Sequence, residues 1–174
     1  MVIKLDMMIL WLVPLAYTIH IFEEYPRFVS WTKQYTWLFS SRWDRKFFID
    51  ANIMYMAVIL GLVALATLFP NTYTLILGLA TATWIFTNFL LHAAPTLADG
   101  AYSPGVVTAG AIYVPVALYV YGSVITAGAL TYPEIAASVV VGFVLMVWPL
   151  LNLMRLDRKD RAMAASKAST SLKQ

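Results

Sequence analysis

Hydrophobic residues in this chain are gathered into five long runs, which polar or proline-containing segments separate. A helix of about 20 residues, at about 1.5 Å per residue, crosses a hydrocarbon core of about 30 Å. The pattern therefore predicts an all-α integral membrane protein, a five-transmembrane-helix bundle that forms one domain over residues 1–155. The predicted spans are approximately residues 5–24, 47–69, 73–92, 105–127 and 135–153, and Pro26, Pro70, Pro95, Pro104 and Pro133 lie near their ends.

The segment between the first two spans has a different pattern. Phe28, Trp31, Tyr35 and Leu38 recur at spacings of three and four residues, which predicts an interfacial amphipathic helix over about residues 27–39. Its aromatic side chains suit a membrane-surface anchor, and the alternative is a gate over a pocket. At the other end of the chain, residues 156–174 are polar and are expected to form a disordered tail.

Basic residues mark one side of the predicted bundle. The loop of residues 25–46 and the chain from Arg155 onward lie on the same side, and together they hold eleven of the twelve Lys and Arg residues. The positive-inside rule therefore predicts a cytoplasmic C-terminus and an N-terminus outside. Anionic lipid, rather than nucleic acid, is the expected partner of these basic side chains.

Composition narrows the class of protein further. The chain is 61% hydrophobic and 12% charged, which nearly excludes a soluble enzyme. It contains no cysteine, so disulfides and thiolate metal sites are excluded. It also lacks a Gly-rich phosphate loop and a dinucleotide fingerprint, so no nucleotide cofactor is expected.

Polar side chains converge on the cytoplasmic side of the predicted bundle. Ionisable groups in a membrane normally face the bundle interior, because burying them unpaired is costly. His20 and Glu24 lie one helical turn apart on the first span, and Asn88 and His92 lie one turn apart on the third. The candidate catalytic residues are Glu23, Glu24, Asp50 and Asn88, and the candidate substrate-binding residues are Tyr17, Trp84, Tyr102, Trp148 and Asn152.

Two histidines and a carboxylate at one depth predict a metal site. Imidazole from His20 and His92 with the carboxylate of Glu24 suits zinc or non-haem iron and leaves a position open for substrate. In this interpretation Glu23 is the base or an additional ligand, and Asn88 orients the site. The substrate is expected to be a lipophilic small molecule that enters from the bilayer or across the interfacial helix.

Two alternatives remain open at this stage. A metal-free enzyme could use a buried carboxyl group as acid and a neighbouring histidine or carboxylate as base to isomerise or cyclise an isoprenoid or sterol-like lipid. A small transporter or a lipid-binding protein is the other alternative. The outer half of the spans offers few matching polar groups, which favours a pocket open to one side.

The motif His20-Ile21-Phe22-Glu23-Glu24 resembles the signature of the HXXEE-domain family, small prokaryotic membrane proteins of unknown function. The resemblance extends to Asn88 and His92 and to the stretch Tyr-Ser-Pro-Gly-Val-Val-Thr-Ala at residues 102–109. It implies that the motif residues belong to one site in a prokaryotic cell membrane. It does not supply a substrate or a reaction.

Overall fold

The protein is a bundle of five long helices. A computed structural model describes residues 5–35 and 42–171, and the regular elements in these ranges are all helical. This confirms the prediction of an all-α chain with five helices long and apolar enough to cross a membrane. The five are Met7–Glu24, Arg45–Leu68, Thr72–Asp99, Val106–Thr126 and Tyr132–Asp160, called the first to fifth helices below.

The third helix is the most buried of the five and contacts each of the other four. Small residues on its surface allow its neighbours to approach closely. A Cβ atom at Gly142 of the fifth helix would lie 2.2 Å from the Ala80 carbonyl oxygen, and a Cβ at Gly78 would lie 2.7 Å from the Cβ of Ala66 on the second helix. The third helix therefore supplies the surface against which the bundle packs.

The third helix extends beyond its predicted end at residue 92. Pro95 lies inside the helix, which continues to Asp99. The proline lacks one backbone hydrogen bond, but the helix ends only where Gly100 adopts a left-handed conformation with φ of 65°. His92 therefore lies about two turns inside the helix, and the chain that follows Gly100 can fold back over it.

A short helix, Phe28–Thr32, covers the end of the bundle at which His20 and His92 lie, called the site end below. It is shorter than the predicted interfacial helix, and residues 36–39 of that prediction lie outside the described residues. Phe28, Trp31 and Tyr35 are buried against Phe48 and Leu150. Their aromatic face therefore packs onto the protein itself rather than serving only as a surface anchor.

The fifth helix differs from prediction at its C-terminal end. Helical backbone continues through the expected disordered tail to Ser171. Alanine, lysine, arginine and methionine favour helix, and an existing helix extends more readily than a new one forms. An ion pair between Arg42 and Asp160 also joins this extension to the chain before the second helix.

Candidate metal centre

Three side chains from two helices meet at the site end. The Glu24 Oε1 atom lies 3.4 Å from His20 Nε2 and 3.0 Å from His92 Nε2. All three residues are buried, with exposures of 5% for Glu24, 0% for His20 and 1% for His92. Because the ion-pair partners of this buried carboxylate are imidazoles, its charge is balanced only if a proton or a cation lies between the same atoms.

The spacing of these atoms fits a single metal ion. One ligand atom from each residue lies within 4.8 Å of the other two. Zinc ligands at about 2.0–2.1 Å in a tetrahedron are about 3.3 Å apart, close to the two distances measured from Glu24. The group of His20, Glu24 and His92 could therefore hold a divalent ion, and these are the three residues at which the sequence predicts a metal site.

Hydrogen bonding orients the ring of His20. The Thr108 hydroxyl donates to Glu23 Oε2 at 2.5 Å, and His20 Nδ1 lies 3.0 Å from the same hydroxyl oxygen. A hydroxyl has one proton to donate, so His20 Nδ1 must carry the hydrogen in its contact with Thr108. In the neutral ring, the lone pair is then on Nε2 and faces Glu24, which is the arrangement a metal ligand requires.

The chain between the third and fourth helices contacts both histidines and Glu24. Ser103 is fully buried, and its hydroxyl oxygen lies 3.0 Å from His92 Nδ1. Ser103 can thus orient His92 as Thr108 orients His20. Gly105 lies directly against the cluster, because a Cβ atom there would be 2.5 Å from the His20 ring and 2.9 Å from Glu24 Cγ.

The two adjacent glutamates have different environments. Glu23 accepts hydrogen bonds from the backbone N–H groups of Val107 and Thr108, at 3.3 and 2.7 Å, and from the Tyr102 hydroxyl at 2.5 Å. It therefore caps the N-terminus of the fourth helix, where a negative charge is favourable. Partial burial, together with the bond to Glu23, raises the pKa of Tyr102 to about 12, so this donor stays protonated at neutral pH.

This geometry separates the roles predicted for the pair. The structure brings Glu24 to the two histidines. The carboxylate of Glu23 instead accepts hydrogen bonds from backbone N–H groups at the start of the fourth helix. The sequence predicts Glu23 as a base or an additional ligand. In either role, Glu23 would have to give up its hydrogen bonds to Tyr102, Val107 and Thr108. Tyr102 likewise contacts Glu23 rather than the cavity described below.

Replacing Glu23 with alanine is expected to lower the free energy of unfolding by about 2–3 kcal/mol, because several donors at a helix start lose a charged partner. His20 also loses its support through Thr108, so metal affinity should fall. Glu134 is the matched control, since it accepts from the backbone and hydroxyl of Thr131 at the exposed start of the fifth helix. Glu134→Ala should leave metal affinity unchanged in thermal unfolding and metal-binding measurements, and equal metal losses would contradict this role for Glu23.

A cavity extends from the cluster into the bundle. Its lining includes Glu24, Asn88 and His92, and the aromatic residues Tyr17 and Trp84. The centre of a water molecule can move through about 50 Å³ of it, which is room for more than one water. The three side chains that could hold a metal ion therefore lie beside a cavity with room for water.

Several predicted site residues lie elsewhere. Asp50 is exposed and pairs with Lys46 at 2.5 Å, because its position on the second helix faces away from the bundle. Trp148 is 55% exposed and lies beside Arg155. Asn152 lies in a surface depression near the same arginine. Asn88, by contrast, is in the cluster, with its amide nitrogen 3.1 Å from His20 Nε2.

Other residues of the site were not singled out as site residues from the sequence. Asn52 lines the cavity and accepts a hydrogen bond of 2.6 Å from the Tyr17 hydroxyl. Tyr113 is fully buried, and its ring centroid is 4.5 Å from that of His20. It lies in a π-helical turn, Ala109–Tyr113, a feature often found at functional sites. Ser103 and Gly105 lie in the stretch of residues 102–109 that carries part of the family resemblance, and this was the feature of the sequence that could have identified them.

Fold and site together define a helical membrane protein with a buried group of two histidines and one glutamate. Residues 11–120 match the sequence profile of a family described as "Protein of unknown function with HXXEE motif". The chain belongs to this HXXEE family, as the motif at residues 20–24 predicts. No curated protein and no solved structure matches the chain.

Proposed function

We propose that the chain is an integral membrane enzyme that acts on a lipophilic small molecule by metal-assisted chemistry, with zinc or non-haem iron at His20, Glu24 and His92. The observation that carries the proposal is the convergence of three buried ligand atoms beside an aromatic cavity. Two imidazoles and one carboxylate with an open position are the ligands of hydrolytic zinc sites and of non-haem iron oxygenases.

The residues around the three ligands have distinct tasks in this proposal. A bound ion would polarise a substrate oxygen or activate a water molecule. Asn88 donates to the lone pair of His20 Nε2, so its amide has to turn away when an ion takes that lone pair. The freed amide then faces the cavity, where it can bind a polar group of the substrate. Trp84 and the other apolar walls hold the hydrocarbon part and exclude water.

A metal-free acid–base enzyme is the second candidate, and the aromatic wall of the cavity supports it. Glu24 and His92 lie 3.0 Å apart and can pass a proton between them. The rings of Tyr55 and Trp84 line the same cavity with centroids 5.4 Å apart. Aromatic faces stabilise a cation, as isomerisation or cyclisation of an isoprenoid or sterol-like lipid requires. Transport or lipid binding without turnover is the third candidate.

The orientation in the membrane is part of the proposal. Arg27, Arg45, Lys46 and Arg155 are exposed at the site end, which supports a cytoplasmic site end, an N-terminus outside and a C-terminus inside. The same residues are proposed to contact anionic lipid. The resemblance to the HXXEE-domain family supports a prokaryotic cell membrane as the location.

The proposal is tested with purified protein in nanodiscs and the total lipid extract of the expression host. Mass spectrometry of the extract should show a new product with the parent protein and with Glu134→Gln, a control at the opposite end. Glu24→Gln and a chelator should each abolish the product. A product that survives chelation but not Glu24→Gln would identify the acid–base enzyme, and unchanged lipids in every arm would contradict both enzymatic candidates.

A further inference from the structure

An apolar groove lies on the outer face of the bundle between the first and second helices. Ile21 and Tyr25 form one wall, and residues from Ile49 to Leu60 form the other. At about 1.5 Å per residue, the second wall is about 16 Å long, about half of a 30 Å hydrocarbon core. The groove thus extends from the site end to mid-membrane depth, which is the depth of one lipid chain in one leaflet.

The groove and the cavity share part of their walls. Phe48 and Asn52 line both. The Tyr17 hydroxyl donates to Asn52 Oδ1 at 2.6 Å across the two helices, and Asn52 Nδ2 donates to the Phe48 carbonyl at 2.9 Å. The side chains of Phe48 and Asn52 therefore lie between the membrane-facing groove and the cavity beside Glu24.

A positive charge lies at the site end of the groove. The Arg45 guanidinium carbon is 5.0 Å from the ring centroid of Tyr25, and its Nη1 donates to the Tyr25 hydroxyl at 3.3 Å. Arg45 is exposed and lies one turn before Ile49 on the second helix. A guanidinium forms strong, often bidentate hydrogen bonds with anionic groups, so this end of the groove is suited to an anionic headgroup.

We infer that the groove binds a single-chain anionic amphiphile, with its headgroup at Arg45 and its chain along the second helix toward Leu60. The groove also provides the route by which the substrate reaches Glu24, past Phe48 and Asn52. Only this second statement rests on the proposed function. The binding site itself is defined by the apolar walls, the length of one leaflet and the charge at one end.

The inference is tested with a photoactivatable fatty acid, and with the matching alcohol, on the full chain in nanodiscs. Ala57→Trp fills the groove, because Ala57 is one of its exposed lining residues. Val58→Trp is the matched control, since the adjacent Val58 is also exposed but does not line the groove. Arg45→Gln tests the headgroup contact. Labelled positions are mapped by mass spectrometry, with and without excess unlabelled fatty acid.

We expect saturable labelling between residues 49 and 60 that excess fatty acid competes away. Ala57→Trp should remove it and Val58→Trp should retain it. Arg45→Gln should weaken fatty-acid affinity about fivefold and leave alcohol binding unchanged, since a basic residue near the surface contributes about 1 kcal/mol to binding an anion. Labelling that is not competed, or is equal in the two tryptophan variants, would show bulk lipid and overturn the inference.

Metal content measured on the same samples separates this inference from the proposed function. Saturable labelling of a protein that takes up no metal would support the binding site in the groove and contradict the proposed metal enzyme. Metal-loaded protein without saturable labelling would overturn the groove alone.

Discussion

Replacing Gly105 with alanine is expected to lower the free energy of unfolding by about 3 kcal/mol and to abolish metal binding. Gly105 has φ of 96°, in the left-handed region that costs other residues about 1–2 kcal/mol. The added Cβ would also lie 2.5 Å from the His20 ring and 2.9 Å from Glu24 Cγ. Overpacking of this kind costs about 1–3 kcal/mol more and displaces His20 and Glu24, two of the three residues proposed to hold the ion.

Gly100→Ala separates the two causes. Gly100 also has a positive φ, 65°, but a Cβ there would meet nothing within 4 Å. This variant should show only the backbone strain, about 1 kcal/mol, and should bind metal as the parent does. Thermal unfolding and metal titration of both variants check the prediction. A Gly105→Ala protein that binds metal normally would show that the chain at residue 105 does not set the position of His20 and Glu24.

Removing a bound ion with a chelator is expected to lower the unfolding temperature by about 10 °C. An ion that binds only the folded state, at a free concentration of about 1,000 times its dissociation constant, stabilises by about 4 kcal/mol. For a chain of this length, each kcal/mol shifts the unfolding temperature by about 2–4 °C. Readdition of zinc or iron(II) should restore the parent value, as measured by thermal unfolding in detergent.

The control for this experiment is the variant with both His20→Ala and His92→Ala. It lacks the two imidazoles, so its unfolding temperature should be the same with chelator, zinc or iron(II). A parent protein that is equally insensitive would contradict a stabilising ion. A double variant that still responds would show that the ion binds elsewhere.

Hydrophobic run length and helical spacing were sufficient to predict the five helices and the grouping of His20, Glu24 and His92. His20 and Glu24 are four residues apart, and a helix brings such residues to one face whatever it packs against. The third helix ends at the same side as the first, which places His92 at the depth of His20. These features follow from local geometry and chain direction, and both can be read from sequence.

Other features depend on how each helix is rotated, which the sequence does not determine. Glu23 and Glu24 are neighbours, and packing of the fourth helix decides that Glu23 caps it while Glu24 faces the histidines. Asp50 is at the predicted depth but faces outward, where Lys46 pairs with it. A tryptophan is suited to the wall of an apolar cavity, but the side chain of Trp148 on the fifth helix is more than half exposed.

The fold of the chain between the third and fourth helices could not be predicted either. Pro95 was expected to end the third helix, but the helix absorbs it and ends at Gly100. Because of this extension, Ser103 contacts His92 and Gly105 lies against the ring of His20. The contact of Ser103 with His92 depends on where the chain turns after Gly100, and the contact of Gly105 with His20 joins segments distant in sequence, so neither leaves a periodic signal.

Elemental analysis of the detergent-purified protein tests most directly whether a metal ion binds at His20, Glu24 and His92. The variant with both His20→Ala and His92→Ala is measured beside the parent. The protein should be produced in metal-replete cells, and both samples should show the same helical circular dichroism. We expect near-stoichiometric zinc or iron in the parent and none in the variant. Folded parent protein without metal, or equal metal in both samples, would contradict a centre at His20, Glu24 and His92.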